Sequence, residues 1–582
     1  MMRLFVRFVS IIIFIGYCFS LPSYSFGATD SREGEFLKKV EDLHIDIPLL
    51  EYTASPFTPL IKGSFNNNTH YCALLDIGDE ALLARIHLVR SAQKVIYIQT
   101  YIWSNDETGR FMMQELALAA KRGVKVKIIV DQLAHSLDPK AVAFLSIDNP
   151  NLEIKFYNPN AKKVSPSKLD YLWGLTKFGR FNQRMHNKVF IVDDCIAITG
   201  GRNYQNDYFD RGSKRNFKDR DVLVVGPVVK TMTDSFSDYW HYYLSVPSGE
   251  MIDVKREISK GFSEEFKKVH KYRKGHFFHE LDVHATDLEY VHRVITNNIF
   301  NVNKIEFIAD PPGKTTKNSL MGGGSAIDEL IRLLSKAEKR IIMQTPYLVL
   351  DSKGRKLFRK LRRNKPEIDI LVSSNSLAAA DHFYAYAFSY KYKRFYVKDL
   401  KWRIFELKRY PEDVDMMVPP LDGIKRSKDS LACIHSKTYI VDNDRVYIGS
   451  FNIDPRSANL NTEAGVIIYD EEFTQAVTQN ILNDMNPENS WTIGIYRHAP
   501  VVAHFSEFMH NVMNVIPIID IWPFGYTASF KLIEGKEEVP FYQEDFYKNY
   551  TSAGPFPDAP FTSKEMKARL MKSFFGPMEP MM

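Results

Sequence analysis

Hydrophobic and polar positions follow the same order in two separate blocks of the chain. In each block, the periodicity predicts a helix, a strand, an amphipathic helix and a second strand. The first block places them at residues 79–91, 95–100, 109–122 and 124–130, and the second at residues 326–336, 340–345, 353–363 and 368–372. The first helix is expected to expose a basic face. This order predicts an α/β fold in which a whole domain, a mixed β-sheet flanked by helices, occurs twice.

Each block continues into the same spaced set of polar residues. The first copy contains His186, Lys188 and Asp193 and ends at Gly200-Gly201-Arg202-Asn203. The second contains His435, Lys437 and Asp442 and ends at Gly449-Ser450-Phe451-Asn452. The histidines are 249 residues apart (435 − 186 = 249), and the Lys, Asp and Asn positions keep that offset. Two identical spacings are improbable by chance and indicate a chemical role.

The local pattern around each motif predicts two strands joined by a tight turn. Apolar, mostly β-branched or aromatic residues follow each lysine, and acidic turn residues come next. Strand alternation places His186 and Lys188 on one face, and likewise His435 and Lys437. The motif aspartates, Asp193 and Asp442, fall on the opposite face at the turn. We interpret them as structural more than chemical.

The residue types suit chemistry on a phosphate. Small residues after the return strands let backbone approach a ligand closely. Two lysines, together with Asn203 and Asn452, make an anion clamp. Two histidines suffice for double displacement, since one attacks phosphorus and the other protonates the leaving group. No acidic cluster or Cys/His spacing indicates a metal, so no cofactor is expected.

An imidazole in this role needs a partner that fixes its tautomer. Each copy has an acid downstream, next to an apolar run. Asp221 begins the run 221–225, and Glu463 precedes the run 464–468. We predict that these two carboxylates orient the histidines. The alternative is that they are solvated acids at strand ends.

The doubled H-x-K-x4-D-x6-G-[SG]-x-N pattern resembles the signature of the phospholipase D superfamily. Residues 182–188, 200–203, 449–457 and 460–463 look like those of its bacterial cardiolipin synthase C branch, over about residues 74–491. The resemblance implies two α/β halves related by a pseudo-two-fold axis around one shared cleft. It also implies the catalytic set, which comprises His186, Lys188, Asp193, His435, Lys437 and Asp442.

By the same resemblance, His186 is expected to attack phosphorus and form a phosphohistidine intermediate. His435 is expected to act as general acid and base, although the symmetry of the sequence permits the reverse. The implied partners are phospholipids, such as phosphatidylglycerol and phosphatidylethanolamine, at a membrane surface. The implied reaction is phosphatidyl transfer of the cardiolipin synthase type.

Other activities stay open at this point. An exported phospholipase D would pass the phosphatidyl group to water and release phosphatidic acid. A nuclease of the same superfamily, or a binding protein without catalysis, is a more distant alternative, and no nucleic-acid partner is expected. The acceptor, the headgroup preference and the oligomeric state are left undetermined by the residues.

Length, charge and the first residues of the chain indicate its domain number and where the protein acts. At 582 residues, the chain is expected to form more than one domain. Residues 1–28 combine a basic start with a short apolar run at 8–19, which is typical of a secretory signal. We therefore expect export to the periplasmic side of the inner membrane or secretion. The net charge of +6 suits anionic lipid or nucleic acid equally.

The pattern of segments predicts where the domains begin and end. We expect an irregular segment at 29–70, a first half at 71–250, a basic exposed linker at 251–300, a second half at 301–495 and a C-terminal extension at 496–582. Residues 160–185 and 376–410 interleave basic and aromatic side chains. Such stretches suit a lip beside anionic headgroups, a single-stranded nucleic-acid surface or ordinary exposed structure. The sparse cysteines, of which three lie beyond the signal, predict no disulfide framework.

Overall fold

The two halves of the chain build two large mixed sheets with matching strand order. The computed structural model describes residues 55–175, 178–264, 266, 279–314, 323–417, 431–496 and 526–559. Nine described strands between residues 70 and 302 form a first sheet, and ten between residues 304 and 554 form a second. The signal expected at residues 1–28 and the apolar stretch at 512–524 lie outside the described residues.

The strands of the first half lie between residues 70 and 302. They are β1 (His70–Leu75), β2 (Val95–Thr100), β3 (Lys125–Asp131), β4 (Leu152–Tyr157), β5 (Val189–Val192), β6 (Ile196–Gly200), β7 (Arg215–Lys218), β8 (Asp221–Val225), β9 (Ser245–Pro247) and β10 (Phe300–Val302). The order in the sheet is β10-β1-β8-β6-β5-β2-β3-β4-β9. Strands β2, β3 and β4 run parallel, and the motif hairpin β5–β6 joins them antiparallel through β2.

The second half repeats this arrangement and extends it. Its strands are β11 (Lys304–Ala309), β12 (Arg340–Gln344), β13 (Asp369–Asn375), β14 (Arg403–Leu407), β15 (Leu431–Ile434), β16 (Thr438–Val441), β17 (Arg445–Gly449), β18 (Ala464–Tyr469), β19 (Ser490–Ile495), β20 (Thr527–Leu532) and β21 (Tyr550–Gly554). The order β11-β18-β17-β16-β12-β13-β14-β19 matches β1-β8-β6-β5-β2-β3-β4-β9 position by position. The predicted duplication of a mixed α/β domain is confirmed. From the C-terminal extension, β20 and β21 continue the second sheet beyond β19.

Helices cover both faces of the sheets. They are α1 (Thr58–Asn67), α2 (Gly78–Ser91), α3 (Glu107–Lys121), α4 (Pro139–Asp148), α5 (Lys168–Leu175), α6 (Phe178–Phe181), α7 (Val228–His241), α8 (Ile252–Lys260), α9 (His279–Thr286), α10 (Leu288–Val294), α11 (Ser325–Ser335), α12 (Ser352–Asn364), α13 (Phe383–Arg394), α14 (Val414–Met417), α15 (Pro455–Asn459), α16 (Glu471–Met485) and α17 (Phe546–Asn549). Aspartates cap several of them, as Asp106 does for α3 and Asp351 for α12. No helix in the described ranges combines the length and the hydropathy needed to cross a bilayer.

The core that joins the halves lies between the two sheets. One apolar cluster contains the inner face of the first sheet, the inner face of the second sheet and the buried faces of α7 and α16. Separate clusters fill the outer side of each sheet. The described residues from 55 onward accordingly form one compact unit, in which the expected halves share a core.

Three expectations about segments need correction. Helix α2 does not expose a basic face, because Arg85 and Arg90 are buried and pair with Asp221 and Glu115. The segment expected to be irregular at 29–70 contains α1 and the start of β1. Part of the expected exposed linker also packs, since Leu281 and Val291 are buried in the first core. For α2 and the linker, tertiary burial overrides a local polar pattern.

Candidate active site

Both histidines sit where one half of the chain pairs with the other. The backbone N–H of His186 donates to the carbonyl of Thr462 at 3.0 Å, and that of His435 donates to Lys218 at 2.9 Å. Strand β15, which leads into His435, runs parallel to β7 of the first half. Each histidine therefore lies beside the opposite half: His186 next to the residues before β18, and His435 next to β7. This pairing brings the two motifs into one site.

The carboxylate partners cross between halves in the same way. His186 Nδ1 lies 2.8 Å from Glu463 Oε2, and His435 Nδ1 lies 2.6 Å from Asp219 Oδ2. Both carboxylates and both imidazoles are buried. An ionised carboxylate can only accept, so each Nδ1 carries the proton and each Nε2 keeps its lone pair. The geometry leaves two oriented Nε2 atoms available for chemistry.

The prediction that Asp221 orients a histidine is wrong. Its carboxylate instead accepts from Arg85 Nη2 at 2.7 Å and from the backbone N–H of Arg202 at 3.2 Å. Strand register explains the error: Gly200 is opposite Asp221 on β8, whereas Gly449 is opposite Gly465 on β18. The residue two positions before Asp221 is Asp219, and the residue two positions before Gly465 is Glu463. The spacing along the chain from the motif glycine differs between the halves, so this correspondence follows from strand pairing alone.

The small residues of the motifs make room for these carboxylates. A Cβ on Gly201 would lie 2.0 Å from Asp219 Oδ1, so only glycine permits this packing. In the second half, the corresponding residue is Ser450, whose hydroxyl donates to Glu463 Oε2 at 2.5 Å. The sequence predicts that these small residues let backbone approach a ligand. The structure shows that the orienting carboxylates occupy the space.

Burial sets the charge state of the site. It lowers the pKa of His186 to about 4, with Lys188 acting in the same direction and Glu463 opposing. Burial and then Lys437 lower the pKa of His435 to about 4 as well, against Asp219 and Asp381. Both imidazoles are therefore neutral at neutral pH in the unliganded protein.

The lysines lie against their own histidines. Lys188 Nζ donates to the carbonyl of His186 at 2.8 Å, and Lys437 Nζ donates to the carbonyl of His435. Lys437 Nζ also lies 2.7 Å from Nδ1 and 3.2 Å from Nε2 of the His435 ring. Burial lowers the pKa of Lys188 to about 7, and it also lowers the pKa of Lys437. The sequence suggested fixed positive charges here. The structure shows ammonium groups whose charge an incoming anion would stabilise.

The predicted phosphate-binding asparagines are both buried beside the motifs. Asn203 accepts from the backbone N–H of Ile102 at 3.0 Å through Oδ1, and its side chain also hydrogen-bonds Tyr208. Asn452 receives no hydrogen bond at Oδ1 from any described residue. Asn203 is thus held beside the tyrosine that contacts His435.

The motif aspartates stand at the opposite ends of the motif strands. Asp193 accepts from the backbone N–H groups of Gln93, Lys94 and Val95 at 2.7–2.9 Å. Asp442 accepts from the corresponding segment at 338–340 in the second half. Each carboxylate therefore ties the motif turn to the start of a neighbouring strand. This geometry agrees with a structural interpretation.

Aromatic side chains that the sequence analysis did not single out complete the site. The ring of Tyr101 meets His186 edge-on, with centroids 5.0 Å apart. Tyr208 Oη lies 3.4 Å from His435 Nε2, and the ring of Phe217 lies 5.0 Å from the same imidazole. Tyr101 directly follows Gln99-Thr100, a pair that recurs at Gln344-Thr345, so its place in the repeat could have indicated it. Among the described residues, no group of three or more His, Cys, Asp or Glu is arranged to hold a metal ion.

Comparison with known proteins gives consistent matches. The family model described as "Cardiolipin synthase, PLD-like domain" matches twice, at residues 86–240 and 330–485. The chain is 30% identical to cardiolipin synthase C of Escherichia coli strain K12 over 473 residues, covering 75% of this chain and 93% of that protein. It is also 30% identical to an uncharacterised protein of Helicobacter pylori strain 26695 over 508 residues, covering 85% and 92% of the two chains.

Among solved structures, the chain is similar to phosphatidylserine synthase from Haemophilus influenzae Rd KW20. The TM-score is 0.47 at 16% sequence identity, and the alignment covers 74% of this chain and 91% of that chain.

Proposed function

The chain belongs to the phospholipase D-like family of cardiolipin synthase domains, and from this premise we propose that it is a cardiolipin synthase-like phosphatidyltransferase. One observation carries the proposal: two buried histidines, each oriented by a carboxylate of the opposite half, meet in one site. A single half would lack an orienting acid for its own histidine. The complete site suits a reaction in two displacement steps.

In the first step, His186 Nε2 attacks the phosphorus of a phospholipid. The N–P bond forms and the bond from phosphorus to the headgroup oxygen breaks. The headgroup leaves as an alcohol when His435 supplies a proton. Glu463 stabilises the positive charge that develops on the His186 ring, as the carboxylate of a catalytic triad does.

In the second step, His435 takes the proton of an incoming alcohol. The alcohol oxygen bonds to phosphorus and the N–P bond breaks, which restores His186. The lysines and asparagines hold the phosphate oxygens in both steps. Binding the anionic phosphodiester favours protonation of His435 and of Lys188, because it adds negative charge to a buried site.

The roles of His186 as nucleophile and His435 as acid and base are those that the resemblance implies. Burial lowers the pKa of both imidazoles to about 4, so both rings are neutral before a substrate binds. At His435, the carboxylates of Asp219 and Asp381 act against burial and against the charge of Lys437.

We further propose that the protein works at a membrane surface with phosphatidylglycerol and phosphatidylethanolamine as substrates. Helix α5, shortly before His186 in the chain, exposes 68% of Leu169 and 73% of Trp173, next to Lys168. Apolar side chains flanked by basic ones suit an anionic lipid interface. Export to the periplasmic side of the inner membrane, or secretion, belongs to the same proposal and rests on the leader-like residues 1–28.

Lipid mass spectrometry tests the proposal. Purified protein would be incubated with vesicles of phosphatidylglycerol and phosphatidylethanolamine without added metal. We expect cardiolipin that disappears in His186→Ala and His435→Ala. Phosphatidic acid as the sole product would identify a hydrolase of the phospholipase D type, and absence of any lipid turnover would overturn the proposal.

A further inference from the structure

Asp381 is a buried carboxylate, and one of its oxygens accepts no hydrogen bond from the described residues. It lies in the segment that joins β13 to α13, and its side chain is 7% exposed. Oδ2 accepts from Tyr347 Oη at 2.9 Å, but no donor among the described residues reaches Oδ1. Leaving a buried carboxylate oxygen without a donor is costly. Such an atom is suited to receive a donor from a ligand.

The carboxylate lies on the His435 side of the active site. At the end of β13, the Asn375 side chain brackets Ile434, the residue before His435, accepting from its N–H and donating to its carbonyl, both at 2.8 Å. The segment that contains Asp381 follows directly. The charges of Asp381 and His435 act on each other, and each supports ionisation of the other against burial. His382, 43% exposed, lies 3.8 Å from Asp381 and marks the solvent side.

The residue two positions before the histidine differs between the halves. Two residues before His186, Arg184 pairs with the buried Asp131 at 3.2 Å. Two residues before His435 stands Cys433, and burial raises the pKa of its thiol, so it stays neutral. Arg215 contributes positive charge near Asp381, but its Nη2 lies 3.5 Å from Asp207. The His435 side therefore keeps a carboxylate that no described side chain pairs directly through Oδ1.

We propose that Asp381 binds the hydrogen-bond-donating end of the headgroup alcohol that leaves from, or enters at, the His435 side. The shared chemistry of this group is an O–H or N–H donor whose heavy atom is three bonds from the reacting oxygen. A hydroxyl of glycerol and the ammonium of ethanolamine both provide it. Asp381 would thus select among alcohols while His435 transfers their proton. This inference rests on the proposed phosphatidyl transfer.

A competition between acceptors isolates this role. Wild type and Asp381→Asn would be given phosphatidylglycerol vesicles with deuterated glycerol and 1-butanol together, and in a second vessel ethanolamine and 1-butanol. The ratio of the two transfer products reports how one common phosphohistidine intermediate is partitioned. It does not depend on how fast that intermediate forms. Butanol is the reference because it lacks a second donor.

We expect Asp381→Asn to lower the glycerol-to-butanol or ethanolamine-to-butanol ratio by about tenfold or more, as loss of a charged hydrogen bond does. A larger fall for ethanolamine identifies an ammonium ligand, and an equal fall identifies a hydroxyl. Unchanged ratios overturn the inference, whether total turnover falls or not.

A matched variant controls for removal of a carboxylate. Asp369→Asn, at the start of the same strand β13, breaks a half-exposed pair with Arg403 at 3.1 Å and should leave both ratios unchanged. If wild type makes no transfer product with any alcohol, the proposed function fails. That result is distinct from unchanged ratios in an active enzyme.

Discussion

His186 Nδ1 lies 2.8 Å from Glu463 Oε2, although 277 residues of chain separate the two. In the matching contact, which spans 216 residues, the second half supplies His435 and the first half supplies Asp219. Each half of the duplicated fold thus contributes a histidine to the site and an acid to the other half's histidine. Catalysis is tied in this way to correct docking of the halves.

Replacing the orienting carboxylate should separate catalysis from stability. Asp219→Asn keeps the size of the side chain but can present an amide N–H to His435 and favour the wrong tautomer. We expect turnover to fall on the order of 100- to 10,000-fold. Asp221→Asn should instead lower the unfolding midpoint through its loss of the Arg85 ion pair. Lipid turnover and urea unfolding of both variants check this, and equal loss of turnover in the two would contradict it.

The Gly201 position gives a geometric test. Ala at this position places a methyl group 2.0 Å from the present location of Asp219 Oδ1, so the carboxylate must move away from His435. We expect turnover to fall about 100-fold. Gly249→Ala is the control, because its Cβ would meet no atom within 4 Å. Full activity in Gly201→Ala would show that the carboxylate position is not critical.

An activated substrate tests which histidine attacks. A phosphatidyl ester of p-nitrophenol needs no acid to release its leaving group. His435→Asn should therefore release about one equivalent of p-nitrophenol in a burst and retain a phosphatidyl group on the peptide that contains residue 186. His186→Asn should release none. A burst in His186→Asn instead would reverse the two roles.

The buried histidines should make stability depend on pH. The pKa of His435 is about 4 in the folded protein against an ordinary 6.5, so the unfolded chain binds more protons between these values. Stability is therefore lost as pH falls through this window. From pH 7 to pH 5, the free energy of unfolding of wild type should fall by about 2 kcal/mol through this one residue. His435→Asn should lack this contribution. Urea unfolding of both proteins at pH 7 and pH 5 measures this. The prediction is refuted if the difference in unfolding free energy between wild type and variant is the same at the two pH values.

Arg220 is expected to stabilise the contact between the halves. It is buried, forms an ion pair with Asp76 at 2.6 Å and donates to Gln344 and Thr438 of the second half. Arg220→Met should cost about 3–5 kcal/mol, since it leaves a charge unpaired. Asp76→Asn added to it should recover part of that loss. The exposed pair Lys230–Asp234 provides the control, and Lys230→Met should change stability by less than about 0.5 kcal/mol. Chemical denaturation gives all three values.

Much of this protein can be read from local pattern. The positions of β2, α3, β3, β12 and α12 agree with the periodicity to within a few residues, because buried faces recur at the period of the element itself. The doubled motif identified His186, Lys188, His435 and Lys437, because spacing along a strand decides which side chains share a face. Their burial beside one another in one site agrees with that inference.

Other features depended on contacts between distant segments. Asp219 and Asp221 stand two residues apart, and only the pairing of β8 with β6 shows that Asp219 is the counterpart of Glu463. The exchange of acids between halves follows from the docking of β7 on β15, and the burial of Arg85 follows from the packing of α2. Strand register and docking are determined by the summed packing of remote side chains, which a local sequence pattern does not encode.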